Sequence, residues 1–147
     1  VVEVGAGMST PWLAARVGHI TSYDWNEVWF AFMQSELQRR GIHNVDLRLC
    51  TGNEPSLFAD IRENAIDFAL IDSGIRSKCL FELWPKVRPG GLLYLDNWAS
   101  DLFWLEDGYN ARAFLRQHRS EIAFTRLFVD YVPGYVSVSE GLLVVKR

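Results

Sequence analysis

VVEVGAGMSTPWLA, residues 1–14, passes from an apolar run through two glycines into a segment of helical character. The unbroken apolarity of Val1, Val2 and Val4 suits a strand covered on both faces, and the segment from Thr10 onward suits a helix. Gly5 and Gly7 therefore fall in a strand-to-helix turn. Such a turn lets a ligand approach bare backbone at a helix N-terminus, where unpaired N–H groups and the helix dipole attract negative or polar groups. Glu3 stands inside the strand, and a carboxylate there repels a pyrophosphate but attracts an ammonium group.

The alternation continues downstream. Residues 19–24 read as a second strand, and residues 26–41 as a helix opened by Asn26 and stopped by Gly41, with Phe30, Met33 and Leu37 on one face. Strands are expected over 44–50 and 66–72, with a short helix over 55–63 between them. A helix over 77–87 meets Pro85, RPGG at 88–91 is a turn, and LLYLDN at 92–97 is a strand ending in polar residues. A helix over 109–119 and two strands, 122–131 and 141–147, complete the pattern. Strands alternating with helices imply right-handed crossovers and an α/β fold: a doubly wound, mostly parallel sheet with helices on both faces. The final pair of strands, joined by a loop too short for a helix, implies an antiparallel C-terminal hairpin.

In such a sheet, ligands bind beyond the carboxyl ends of the strands. The expected strands are followed or ended by Gly5 and Gly7, Asp24, Gly52 and Asn53, Asp72, and Asp96 with Asn97. All five thus place polar groups at one end. Asp24 lies about 20 residues beyond the glycine turn, the spacing at which an acid accepts hydrogen bonds from ribose hydroxyls. Asp24 and Asn26 are also rival caps for the next helix. Ser9 or Thr10 stands where a dinucleotide fingerprint requires its third glycine, so a nucleoside cofactor with an amino acid tail fits better than a dinucleotide.

The 147 residues correspond to a single domain, and 49% hydrophobic with 22% charged residues is an ordinary globular composition. A net charge of −3 argues against a nucleic-acid partner. Cys50 and Cys79 lie in apolar segments without CxxC spacing and read as reduced thiols of a cytoplasmic protein. Neither a signal peptide nor a membrane-spanning run is visible, and a chain that begins inside a strand at Val1 is expected to have further residues upstream. His19, His43 and His118 lack ligand spacing and are expected at the surface. No oligomeric state can be read from these patterns.

Taken in order, VVEVGAGMSTPWLA, TSYDWN and FALID…RPGGLLYLDN resemble the successive motifs of class I S-adenosylmethionine-dependent methyltransferases over nearly the whole chain. The resemblance implies a seven-stranded Rossmann-like sheet with the last strand inserted antiparallel. It implies a cofactor site in which Glu3, Gly5 and Gly7 surround the methionine portion, Asp24 binds the ribose and Trp25 and Asn53 flank adenine, with Ala6, Ser9, Thr10, Gly52 and Asp72 also part of it. Asp72, Asp96 and Asn97 are similar to the pattern by which catechol- and caffeoyl-CoA-type O-methyltransferases hold a divalent cation, Mg²⁺ or another. Two carboxylates and an amide carbonyl are hard oxygen ligands, and a cation on them lowers the pKa of a hydroxyl nucleophile. The chain departs from the catechol type at Ile75, where that type carries a lysine base; Arg76 and Lys78 are nearby.

Asp72 is the expected catalytic residue, as a base or as a cation ligand, for methyl transfer to a small-molecule acceptor. Trp98, Phe103, Trp104 and Tyr109 either wall the acceptor or close the core. The alternatives are an NAD-dependent oxidoreductase on a related sheet and a cofactor-binding domain without activity.

Overall fold

The computed structural model describes residues 1–51, 56–98, 105–131 and 138–147. Its seven strands are β1 (Val2–Val4), β2 (Ile20–Asp24), β3 (Val45–Leu49), β4 (Ile66–Ile71), β5 (Val87–Leu95), β6 (Ile122–Tyr131) and β7 (Val138–Lys146). Four α-helices are α1 (Ser9–Ala14), α2 (Glu27–Arg39), α3 (Arg76–Leu83) and α4 (Leu105–Gln117). The strand order is β3-β2-β1-β4-β5-β7-β6. This is the α/β sheet expected from the alternation, with its antiparallel hairpin. The chain divides into two compact units, Val1–Leu57 and Phe58–Arg147.

In the first unit β1, β2 and β3 are parallel, with Val4 opposite Tyr23 and Asp24 opposite Leu49. Val2 and Val4 are buried, which is why β1 carries no polar residue apart from Glu3. Asn26 caps α2 by accepting from Trp29 N at 3.0 Å, so of the two rival caps Asn26 takes the position. Met33 and Leu37 bury the inner face of α2, and Gly41 ends it at φ 64°.

In the second unit β4 and β5 are parallel, whereas β7 runs antiparallel to both β5 and β6. RPGG lies inside β5 rather than before it, as an irregularity across which Ile66 pairs with Val87 but Phe68 pairs with Leu92. Gly90 takes φ 75°, and a Cβ on Gly91 would stand 2.8 Å from the Arg88 carbonyl and 3.0 Å from that of Ile66. Pro85 stops α3 as expected, in a 3₁₀ turn over Trp84–Lys86. The short helix expected over 55–63 is not formed in its described part, where residues 57–60 make turns. His118 is half-buried rather than at the surface: its ring stacks on Phe114 at 3.9 Å, and Nδ1 donates to the Phe114 carbonyl at 2.9 Å.

Gly91→Ala sets a methyl group against two carbonyl oxygens that the β4–β5 ladder holds in place. It is expected to lower unfolding free energy by about 3 kcal/mol in a urea titration.

Candidate active site

Glu3 is completely buried, and hydroxyl groups surround its carboxylate. Ser9 Oγ donates to Oε1 at 2.5 Å, and Thr10 Oγ1 and Ser22 Oγ donate to Oε2 at 2.5 and 2.6 Å. Ser9 and Thr10 belong to the first turn of α1 and Ser22 to β2, so one side chain ties three elements together. Thr10 Oγ1 also accepts from Gly7 N at 3.1 Å. On the other side of the turn, Gly5 N and Ala6 N both donate to the Tyr23 carbonyl at 2.9 and 3.0 Å, and Gly5 takes φ 98°, a conformation open to glycine. The loop from Gly5 to Thr10 is therefore fixed at both ends before any ligand arrives.

Trp29 supplies a further anchor, donating from Nε1 to the Ala6 carbonyl at 2.6 Å. Sequence reasoning missed this residue. Its signal was an aromatic four residues before Met33, on the same helical stripe as Met33 and Leu37. Asp24 ends β2 half-exposed, its Oδ1 accepting from Asn26 N at 2.7 Å, and Trp25 beside it is half-buried. Gly52 and Asn53 lie outside the described residues.

In the second unit the polar residues just beyond β4 and β5 converge on Arg76. Its Nη2 donates to Asp72 Oδ1 and to Asn97 Oδ1, each at 2.9 Å. Nε donates to the Asp96 carbonyl at 2.8 Å, and Nη1 donates to the Ser73 carbonyl. Asn97 reaches this position from φ 51°, a left-handed conformation that asparagine tolerates. Burial, and then the nearby Asp72 carboxylate, push the Asp96 carboxyl above its ordinary range, while the Arg76 guanidinium acts in the opposite direction. The N-terminus of α3 has no cap of its own; Asp107 from α4 accepts from Ser77 N at 2.9 Å and from Ser77 Oγ.

These donors do not fit a divalent cation as the residues stand. Oδ1 of Asp72 and Oδ1 of Asn97 already share one guanidinium nitrogen. A 2+ ion on the same oxygens would lie roughly 4 Å from that charge, a repulsion of about 8 kcal/mol at an effective dielectric of about 20. Among the described residues no cluster of three His, Cys, Asp or Glu side chains is disposed to hold a metal.

Of the aromatic residues beyond β5, Phe103 and Trp104 lie outside the described residues, and Tyr109 is exposed. Trp98 lines a cavity of about 550 Å³ that sequence reasoning did not anticipate, with Arg112, Arg116, Arg119, Phe124 and Arg147 also on its wall.

Polar residues gathered beyond the ends of parallel strands mark the side of an α/β sheet on which domains of this class bind ligands. Residues 2–98 match the family model described as a methyltransferase domain, and the chain belongs to that family. The resemblance to class I S-adenosylmethionine-dependent methyltransferases thus holds. No curated protein matches the sequence. Among solved structures, an rRNA methylase from Streptococcus thermophilus superimposes with TM-score 0.74 at 16% identity, over 99% of this chain and 85% of that one. An O-methyltransferase from Bacillus cereus in complex with SAH gives 0.75 at 17% identity, over 99% and 73%. The O-methyltransferase TomG from Streptomyces achromogenes, in complex with SAM, gives 0.73 at 16%, over 99% and 72%. At these identities the likeness shows the fold alone.

Glu3→Ala leaves the hydroxyls of Thr10 and Ser22 without their acceptor in a buried site. It is expected to cost about 3 kcal/mol or more of stability in urea unfolding, with Glu3→Gln milder because its amide oxygen still accepts. Burial pushes the Cys79 thiol up to about 11, against the opposing Ser73 hydroxyl. In the native protein at pH 8, Cys79 is therefore expected to be inert to Ellman's reagent and to react only on unfolding.

Proposed function

We propose that this chain is an S-adenosylmethionine-dependent methyltransferase that methylates a hydroxyl group of a small molecule in the cytoplasm. The observation that carries the reading is the Gly5–Thr10 turn, fixed by Glu3 and followed at the end of β2 by Asp24. The backbone of Gly5, Ala6 and Gly7 receives the methionine portion, and Ser9, Thr10 and Glu3 hold that backbone from behind. Asp24 accepts from the ribose hydroxyls, with Trp25 toward the adenine; Gly52 and Asn53, which the resemblance also implies for the cofactor, lie outside the described residues.

Methyl transfer is an in-line displacement. A lone pair of the acceptor oxygen forms the new O–C bond as the C–S bond breaks, and S-adenosylhomocysteine leaves as a neutral thioether. The protein's task is to align the three atoms and exclude water. Asp72 takes the acceptor proton, a role supported by its half-exposed carboxylate at the end of β4.

A second reading, an anionic acceptor such as a nucleic acid, is favoured by the arginines around the Trp98 cavity, a local concentration of positive charge on a chain of net charge −3. A steep salt dependence of binding to an RNA oligonucleotide in fluorescence anisotropy would select it over a small-molecule acceptor.

Calorimetry is expected to show S-adenosylhomocysteine bound more tightly than NAD. Asp24→Asn keeps the acceptor for Asn26 N–H but not the charge, and is expected to weaken that binding about tenfold or more. Tighter binding of NAD would overturn the proposal in favour of an oxidoreductase, and methyl transfer to no acceptor despite cofactor binding would favour a non-catalytic module.

A further inference from the structure

We propose that the guanidinium of Arg76 stands where the motif of Asp72, Asp96 and Asn97 would otherwise place a divalent cation, so that this methyltransferase works without a metal. The inference rests on the methyltransferase reading but is argued from contacts within the second unit. The two Nη2 protons are matched to two oxygens at the same 2.9 Å, Oδ1 of Asp72 and Oδ1 of Asn97. The Asp96 and Ser73 carbonyls take Nε–H and one Nη1–H. Four of the five guanidinium N–H groups are thereby committed in the planar fork that suits arginine and no other side chain. The side chain is only 14% exposed, whereas that of Asp72 is 52% exposed. Arg76 is thus a built-in charge rather than a solvated surface group.

Arginine stays protonated at any working pH, so Arg76 cannot serve as the base that a lysine supplies in the catechol type. It is a positioning residue: it fixes the Asp72 carboxylate and the Asn97 amide, and it supplies the fixed positive charge near the ends of β4 and β5. Ile75, where the catechol type carries a lysine, directly precedes Arg76 in the sequence.

Paramagnetic resonance of Mn²⁺ reads metal binding without reference to catalysis. The intact protein is expected to leave the free Mn²⁺ signal unchanged to millimolar concentration, and Arg76→Lys, which keeps a cation in place, is expected to do the same. Arg76→Met should gain Mn²⁺ affinity at least about tenfold, and the additional change Asp72→Asn should remove the gain. Stoichiometric, Asp72-dependent Mn²⁺ binding by the intact protein would overturn the proposal, as would a folded Arg76→Met that gains none. Should Arg76→Met fail to fold, the intact protein decides: methyl transfer that persists after dialysis against EDTA supports the proposal, and transfer lost and restored by Mg²⁺ sinks it. Failure to bind S-adenosylhomocysteine would instead strike the methyltransferase reading and leave the Mn²⁺ result standing.

Discussion

A carboxylate removed from water loses several kcal/mol of hydration, and it persists in a protein interior only where other donors replace that water. Glu3 meets this demand with three hydroxyls drawn from two elements besides its own strand. Much else in the first unit follows from the arrangement. Thr10 must turn its hydroxyl inward, where it also receives Gly7 N–H, and this aligns the start of α1, whose N-cap position at Met8 makes no side-chain hydrogen bond. Ser22 must occupy the inward position on β2, opposite Glu3 in the parallel ladder. The serines and threonine of this region are therefore not interchangeable surface polar residues; they are the solvation shell of one charge.

The second unit solves a related problem with the opposite sign. Two parallel strands are followed by Asp72 and by Asp96 and Asn97, whose oxygens would repel one another if left without donors. Arg76, at the first position of α3, reaches back over both strand ends and joins main chain to side chain with a single planar group. Because α3 is short and uncapped, Asp107 from α4 completes its N-terminus through Ser77, so the guanidinium rests on a helix that is itself held from outside. A charge in so dense a set of hydrogen bonds costs nothing to reorganise during a reaction, which is what makes fixed dipoles and charges effective in active sites.

Sequence patterns made the strand and helix order legible because they are dominated by burial. The apolar runs of β1 and β4, the Asn26 cap and the Gly41 stop each answer to local physics that a neighbouring residue can reveal. The partners of polar groups were not legible, because nothing local marks which hydroxyls, 6 to 19 residues away, reach a carboxylate such as that of Glu3. The same is true of Arg76: the spacing of Asp72, Asp96 and Asn97 fits a cation, but the identity of that cation was decided by a side chain four residues beyond Asp72. RPGG looked like a turn because its composition is that of a turn, yet the β4–β5 ladder continues past it.

The two charged centres have different consequences for a reaction that starts from a sulfonium. Methyl transfer removes the positive charge from sulfur, so stabilising that charge in the ground state more than in the transition state would slow the step. In the proposed reaction a carboxylate facing the sulfonium would do this; the Glu3 carboxylate is enclosed among hydroxyls. Beyond β4, conversely, Arg76 holds the Asp72 carboxylate in one orientation through the same Nη2 that it gives to Asn97. The fold thus uses one buried acid to build a loop and leaves another half-exposed. The difference lies in the donors around each, three neutral hydroxyls for Glu3 and a single guanidinium for Asp72.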